Sequence, residues 1–352
     1  MHPLKVDQPY PFNAWWVAAY AHEVTREILG RTILGERVIL YRSEAGEAIA
    51  LSGICPHRSF PLERSFLVGD AVRCGYHGFT FERDGACTFV PSQPGSGVPK
   101  KADLRRYPLI ERGGMIWIWT GEERLADTGL MPDIEALGLG KEGWTGGGTD
   151  TMHVAARYTL LIDNLLDLSH VSFIHTGSIS GAEALVQAPA RLVEDEHSLN
   201  VERVIRNVPS NPLLAAQHPG IDCTFDQHAD AEYFGPALCR TGGPTYRHGS
   251  GEALGCENFL HFITPETPYS THYRVVIVRN FQTENDDLTK MIVGIVENVL
   301  PEDKAAITWI EEVLQGSGGS VHEVSQRVDN GALKVRRRLE AQIRSELAAA
   351  AA

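Results

Sequence analysis

The sequence predicts an α+β protein in which a small antiparallel β domain precedes a larger domain of strands and helices. Residues 1–120 hold short β-type runs separated by clusters of Gly, Pro and Ser. Residues 124–148 are rich in glycine, and long helical patterns appear only after them. A chain of 352 residues suits two domains of about 100–200 residues each. We therefore expect a first domain at 1–123, a boundary at 124–148 and a second domain at 149–352.

The expected elements follow chain order. In the first domain, the runs VILYR and AIAL flank a polar turn and predict a β-hairpin. In the second domain, the hydrophobic patterns predict a helix at 158–175, mixed strands at 190–280, a long helix at 287–314 and a closing helix that opens at Asn330-Gly331.

The boundary segment contains one glycine motif of the kind found in dinucleotide-binding domains. Gly138, Gly140 and Gly143 form a G-x-G-x-x-G, but no strand precedes the motif and no helix follows it. A linker is therefore a better interpretation than a dinucleotide site. Since nothing else resembles a nicotinamide or flavin site, redox chemistry here would draw its electrons from another protein.

Charge and composition exclude several classes of partner. The formal net charge is −13, which argues against binding to nucleic acid or to an anionic membrane. The N-terminus lacks the pattern of a signal peptide, and no run approaches the ~20 apolar residues of a membrane span. We expect a cytoplasmic protein, in which the six cysteines serve as metal ligands and buried thiols, not disulfides.

Two short clusters in the first domain carry soft and borderline metal ligands. Cys55 and His57 are separated by one residue, Cys74 and His77 by two, and each pair lies beside Gly or Pro. A structural zinc site accepts two Cys and two His, although usually with other gaps. Unrelated core residues could account for one pair. A Rieske 2Fe–2S cluster, in which one iron is held by two thiolates and the other by two imidazoles, fits both pairs best.

A second group of polar residues lies on the helix expected at 158–175. Asn164, Asp167, His170 and His175 interrupt a stripe of leucines and valine. Asp167 and His170 lie on adjacent turns, so the carboxylate could orient one ring nitrogen while the other binds a metal. His170 and His175 point about 140° apart on an ideal helix, so the helix must end or loosen before His175 if both bind one metal. The alternative is two unrelated histidines.

The long helix offers a third ligand for such a metal. Asp303 falls in its inward apolar stripe of Ile292, Val296, Val299, Ala306, Ile310 and Leu314, where an acid must be paired or bound to metal. Two histidines and one carboxylate form the ligand face of non-haem Fe(II) oxygenases. Glu302 is the reserve candidate, and Pro301 is expected to distort this turn.

The motifs together resemble those of one family. CPHR followed by CGYHG, the stretch YTLLIDNLLDLSHVSFIH, and the shorter NAWWVAA, ITPET and PEDK are similar to the oxygenase components of Rieske non-haem iron oxygenases. The resemblance runs nearly from end to end. It is strongest to the group of vanillate O-demethylase, dicamba O-demethylase and toluenesulfonate methyl-monooxygenase.

This resemblance implies a fold and an assembly. It implies a Rieske β domain, then a helix-grip catalytic domain in which a curved antiparallel sheet surrounds a long helix. It also implies a ring-shaped homotrimer in which Asp167 bridges His77 of one subunit to His170 of the next. Asn164 matches a position near the iron, Asp303 matches the family carboxylate, and His261 matches a pocket histidine that contacts a substrate carboxylate. A histidine satisfied within the sheet is an equal alternative for His261.

The implied activity is that of a multicomponent monooxygenase. A separate reductase with flavin and iron–sulfur centres, possibly with a ferredoxin, takes electrons from NAD(P)H, and dioxygen is the co-substrate. An aromatic substrate, expected to be an acid, is O-demethylated or hydroxylated on a methyl group. A ring-hydroxylating dioxygenase, a Rieske electron carrier without oxygenase activity and a zinc-stabilised binding module are the alternatives.

Overall fold

The structure is a computed structural model that describes residue 4 and residues 6–95, 97–179, 183–195, 198–318 and 321–351. The chain separates into two compact units. One unit comprises Phe12–Met131 together with Thr264–Pro268. The other comprises Met1–Pro11, Pro132–Ile263 and Tyr269–Ala352.

The first unit is built from ten antiparallel strands. They are β1 (Trp15–Tyr20), β2 (Leu29–Ile33), β3 (Glu36–Arg42), β4 (Ala48–Ser52), β5 (Phe66–Val68), β6 (Ala71–Arg73), β7 (Thr80–Phe81), β8 (Cys87–Phe89), β9 (Leu109–Arg112) and β10 (Met115–Trp119). They form three sheets, with strand orders β1-β10-β9, β2-β3-β4 and β5-β6-β7-β8. The predicted hairpin is confirmed as β3–β4, in which Tyr41 lies opposite Ile49.

The core of this unit lies beneath the two Cys/His clusters. Alternate side chains of the strands point inward, as the period-two pattern requires. Ile39, Leu51 and Phe81 are fully buried in the same apolar cluster that contains Cys55 and Cys74. The cysteines are thus anchored in a rigid core at the points where two loops begin.

The second unit contains one large sheet. Its strands are β11 (Thr145–Gly148), β12 (Met152–Val154), β13 (Ala190–Glu194), β14 (Leu199–Val208), β15 (Phe225–His228), β16 (Asp230–Tyr233), β17 (Leu238–Arg247), β18 (Ala253–Thr267) and β19 (Ser270–Arg279). The order is β11-β19-β18-β17-β15-β14-β13, with β12 beside β19 and β16 beside β14 and β17. The described pairings are antiparallel.

Six α-helices accompany this sheet among the described residues. They are α1 (Tyr158–Leu166), α2 (Val171–Ile174), α3 (Glu183–Gln187), α4 (Pro212–Gln217), α5 (Asp286–Gly316) and α6 (Asn330–Ala351). The long helix α5 packs closely on β11, because a Cβ at Gly147 would lie 3.0 Å from Thr289 and 3.1 Å from Val293. No helix in the described ranges is long and apolar enough to cross a membrane.

The structure confirms the α+β class and also differs from two expectations. The helix expected at 158–175 ends at Leu166, because Asp167 leaves the helical region with φ −122° and ψ 89°. Helix α5 continues through Pro301. Beyond that residue, the positions that are buried are not all the ones expected from the apolar stripe. Ile307 and Glu311 are buried there, whereas Ile310, expected to face inward, is exposed.

Candidate functional site

Two loops with matching backbone geometry carry the Cys/His clusters of the first unit. The amide of Cys55 donates to the carbonyl of Phe60, and the amide of Ser59 donates back to Cys55. In the second loop, the amide of Cys74 donates to the carbonyl of Phe79, and the amide of Gly78 donates to the carbonyl of Cys74. The fifth residue of each loop has positive φ, 53° at Ser59 and 74° at Gly78. This shared turn brings the side chains after each cysteine to one end of the unit.

The four predicted cluster ligands come together at this end. The Cys55 and Cys74 side chains are buried and their thiols interact. His57 and His77 are exposed in the single chain, and their ring centroids lie 4.5 Å apart. Burial, followed by the interaction with Cys74, raises the pKa of the Cys55 thiol to about 11. Two buried thiols beside two imidazoles fit a 2Fe–2S cluster, whose irons would stabilise the thiolates that burial disfavours.

The histidines of the second unit lie on a segment that the break at Asp167 creates. After α1 ends, Leu168–His170 form a 3₁₀ turn and α2 follows directly. His175 is the C-terminal cap of α2. Because the 3₁₀ turn changes the angular spacing, both imidazoles face the same point, with ring centroids 5.6 Å apart.

The carboxylate predicted as the third ligand lies beside both histidines. Oδ1 of Asp303 lies 3.3 Å from Nε2 of His170 and 3.2 Å from Nε2 of His175. One ligand atom from each of the three residues lies within 4.8 Å of the others. His175 is buried, and the other two side chains are largely buried. Two imidazoles and one carboxylate at this spacing fit a mononuclear non-haem iron.

The second ring nitrogen of each histidine has its own acceptor. Nδ1 of His170 lies 2.6 Å from the carbonyl oxygen of Asp167. Nδ1 of His175 lies 2.6 Å from Oε2 of Glu302, whose Oε1 accepts a bond from Ser178. A histidine that donates through Nδ1 presents the lone pair of Nε2 to a metal. Glu302, the reserve ligand of the sequence analysis, therefore lies on the outer side of His175.

Interactions with the neighbouring histidines favour the ionised form of the Asp303 carboxylate. Burial opposes ionisation of Asp303, but the hydrogen bond and charge of His170 outweigh it and hold the Asp303 pKa below its ordinary value. Burial also opposes protonation of His170, yet the bond to Asp303 raises the His170 pKa. A bound cation would take the place of that proton, because metal ligation requires a neutral imidazole and a carboxylate.

Asp167 and Asn164 lie beside this centre with partners that the sequence did not predict. The Asp167 carboxylate accepts bonds from the amide and hydroxyl of Ser169, and lies 3.4 Å from Nη2 of the buried Arg203. The expectation that this carboxylate orients His170 was wrong, since the Asp167 backbone carbonyl does so. Nδ2 of Asn164 donates to Oδ1 of Asp303 at 3.2 Å.

A cavity of about 530 Å³ opens beside the three ligands. Apolar side chains, five of them from α5, make up most of its lining, which also includes His170, His175 and Asp303. This volume is typical of a site for a small molecule. His261 also lines the cavity, as the sequence analysis expected of a pocket residue.

His261 is nevertheless satisfied within the sheet. Its Nδ1 lies 2.6 Å from the hydroxyl of Tyr273, and its Nε2 lies 2.9 Å from the hydroxyl of Thr241. Burial lowers the His261 pKa to about 3, so the ring is neutral. Tyr273 and Thr241, both in the cavity wall, were missed because only the strand register places them beside His261.

Known proteins share both halves of this arrangement. Residues 14–108 match the family described as "Rieske [2Fe-2S] domain", and residues 154–345 match "Vanillate O-demethylase oxygenase C-terminal domain". The chain belongs to the Rieske oxygenase family. The family matches and the ligand geometry confirm the predicted cofactor classes, a 2Fe–2S cluster and a mononuclear non-haem iron.

Individual Rieske oxygenases are similar over nearly the whole chain. The oxygenase component of chloroacetanilide N-alkylformylase from Rhizorhabdus wittichii is 31% identical over 95% of this chain and 96% of its own. The crystal structure of dicamba monooxygenase bound to 3,6-dichlorosalicylic acid has a TM-score of 0.87 at 29% identity, covering 96% of this chain and 98% of that one. A structure of dicamba monooxygenase with non-haem iron and dicamba has a TM-score of 0.78 at 27% identity, covering 96% and 98%.

These similarities confirm the resemblance drawn from the sequence motifs. The predicted enzyme class is confirmed with it: a Rieske oxygenase of this group is an oxidoreductase of the monooxygenase class. The zinc-stabilised module and the simple electron carrier are not supported, since neither would have the second domain.

Proposed function

We propose that this chain is the terminal oxygenase of a multicomponent monooxygenase that removes or hydroxylates a methyl group on a small aromatic substrate. The observation that carries the proposal is the convergence of His170, His175 and Asp303 in the lining of a cavity of about 530 Å³. Two relatives are named as a vanillate O-demethylase and a chloroacetanilide N-alkylformylase. Their names support attack on an alkyl group attached to oxygen or nitrogen.

We assign the four residues of the matched loops, Cys55, His57, Cys74 and His77, to the cluster, and His170, His175 and Asp303 to the mononuclear iron. When bound, the cluster would supply single electrons, and the mononuclear iron would supply activation of dioxygen. For a methyl ether, the balance is substrate, O2, two electrons and two protons giving a phenol, formaldehyde and water.

The residues of the chain position these groups and shield them from water. The outer acceptors, the Asp167 carbonyl and the Glu302 carboxylate, orient the two imidazoles. Asn164 donates to Asp303 and so limits the rotation of that carboxylate. The apolar wall keeps the target carbon near the ligands and excludes bulk water, so uncoupled reactions are suppressed.

Electrons would come from a separate reductase with flavin and iron–sulfur centres, possibly through a ferredoxin, with NAD(P)H as the source. We propose a homotrimer in which Asp167 links His77 of one subunit to His170 of the next, with the backbone carbonyl of Asp167 as its contact to His170. His77 is exposed in the single chain, and the Asp167 side chain is 24% exposed, so both are accessible to another copy. All six cysteines are free, which supports a reducing compartment, and the cytoplasm is the proposed location.

Product analysis tests this function directly. The reconstituted oxygenase, supplied with a reductase and NADH, should consume O2 only when a methoxy- or methyl-aromatic substrate is present. Methyl ethers should release formaldehyde in proportion to O2. With 18O2, one labelled atom should enter the organic products. Incorporation of both atoms into one ring would contradict a monooxygenase, and no substrate-dependent uptake across the panel would contradict the oxygenase itself.

A further inference from the structure

The wall of the cavity beside the three metal ligands lacks a cation among the described residues. Its polar members are amides, hydroxyls and the neutral His261, and its remaining members are apolar apart from the ligands themselves. Arg203, buried behind Asp167, is tied to that carboxylate and to the Leu185 carbonyl, and it is not part of the wall.

The proposed iron does not supply the missing positive charge. A ferrous ion would bring two positive charges to the site. Asp303 contacts both histidines directly and Glu302 contacts the outer nitrogen of His175, so two carboxylates balance that ion. An anionic substrate in this cavity would therefore be buried without a partner, which is strongly unfavourable.

Three residues in the wall form a hydrogen-bonded relay, Thr241–His261–Tyr273. The neutral imidazole has one N–H, and each hydroxyl has one O–H. Two of these three hydrogens form the two bonds of the relay. In either tautomer, one hydroxyl hydrogen is left over, on Thr241 or on Tyr273, and both side chains line the cavity. The relay thus offers one neutral donor to whatever molecule enters.

We propose that the substrate is an uncharged, mainly apolar molecule whose hydrogen-bond acceptor, such as an amide or ester carbonyl, binds the Thr241–His261–Tyr273 relay. This deepens the proposed function and rests on it, because it concerns the same cavity. It replaces the aromatic acid expected from the resemblance. A carbonyl can accept the leftover hydroxyl hydrogen, while its neutral skeleton suits the apolar wall of α4 and α5.

A binding experiment on the intact protein tests the charge of the substrate without turnover. Calorimetry would compare 4-methoxybenzamide with 4-methoxybenzoate at pH 7.5, and the corresponding amide and acid on a naphthalene skeleton. We expect each amide to bind at least about 30-fold more tightly than its acid. Equal or tighter binding of the acids would overturn the proposal, as would a panel in which no amide binds.

Variants at Leu213 test the effect of charge in the cavity wall, and a double variant tests the hydrogen bond from the relay. Leu213→Arg places a cation in the wall and should narrow or reverse the preference for amide, whereas Leu213→Met should leave it unchanged. The double variant Thr241→Val/Tyr273→Phe removes both hydroxyls. It should weaken amide binding about 5-fold and leave 4-methoxytoluene, which lacks the carbonyl, within about 2-fold. An unchanged preference in Leu213→Arg, or equal losses for both ligands in the double variant, would contradict the proposal.

The failure of this inference is distinguishable from failure of the proposed function. Amide binding without O2 uptake or formaldehyde would contradict the oxygenase and still support a neutral substrate. Tighter binding and demethylation of the acids would support the oxygenase and overturn the neutral substrate.

Discussion

Nδ1 of His175 lies 2.6 Å from Oε2 of Glu302. On the other side of the same ring, Nε2 lies 3.2 Å from Oδ1 of Asp303. Two consecutive acids of α5 thus contact opposite nitrogens of one imidazole. One acid fixes the ring, and the other shares its proposed metal.

Replacing Glu302 with Gln should weaken mononuclear iron binding. The neutral amide is a poorer acceptor for the Nδ1 hydrogen, so the ring is less basic and less firmly oriented. We expect a loss of about 10–100-fold in iron affinity, with the 2Fe–2S spectrum intact. Iron titration of protein depleted of mononuclear iron measures this loss. Glu297→Gln, an exposed position on the same helix, is the matched control. Unchanged affinity in Glu302→Gln would contradict the orienting role.

Replacing Asp167 with Asn should slow electron transfer between subunits. Asn keeps an acceptor for the Ser169 amide but loses the negative charge between the two proposed metal centres. Both metal centres should be retained while product formation falls by at least about 100-fold, because the proposed bridge loses its charge. Chemical reduction followed by stopped-flow oxidation of the cluster measures the transfer step. Normal oxidation of the cluster in the presence of substrate would remove Asp167 from the route.

Replacing Glu311 with Gln should destabilise the second unit. Arg157 donates to both oxygens of Glu311 at 2.6 Å, and both side chains are at least 94% buried, with 6% and 1% exposed. Removing one member leaves a buried unpaired charge, which costs about 3–5 kcal/mol. Chemical denaturation measures the change. Glu202→Gln, which breaks a largely exposed contact with Arg191, should cost less than about 1 kcal/mol. Equal losses in the two variants would contradict the assignment.

Glu257 should make stability fall as the pH rises from about 5 to 8. Burial raises the pKa of this carboxyl to about 7, although the hydrogen bond from Gln217 lowers it. The folded state therefore binds the proton more tightly than the unfolded chain, and ionisation costs stability as the pH rises through that range. The loss should reach up to about 3 kcal/mol. Denaturation of Glu257→Gln should show a flatter profile over the same range, and an unchanged slope would rule Glu257 out as its source.

Features that depend on a short stretch of the chain, such as a contiguous motif or the stripe of one helix, were predictable from sequence. The cluster loops follow from contiguous motifs, and Asp303 was predicted as a ligand because an acid in an apolar stripe needs a partner. The break at Asp167 was not predictable in its position, since the apolar pattern continues through it. The burial of Glu311 depends on Arg157, 154 residues away in sequence, and nothing local indicates that pair.

The relay around His261 was also not predictable from local patterns, because its residues lie on different strands of the sheet. Thr241 lies on β17 two residues from Cys239, which is opposite His261 on β18, so Thr241 and His261 share a face of the sheet. Tyr273 lies on β19, the strand on the other side of β18. The resemblance predicted that His261 contacts a carboxylate of the substrate, with a histidine satisfied within the sheet as the equal alternative. Both ring nitrogens bond to hydroxyls, as the alternative expects, and the residue also lines the cavity.

The most direct test of two separate iron centres is a metal count combined with electron paramagnetic resonance of the reduced protein. The wild type should hold about three iron ions per chain, two in the cluster and one mononuclear, with the g-values of a histidine-ligated 2Fe–2S cluster. His175→Ala should hold about two with that signal unchanged, and the exposed His153→Ala should match the wild type. A zinc-containing, EPR-silent protein, or a His175→Ala variant that keeps all three irons, would contradict the account.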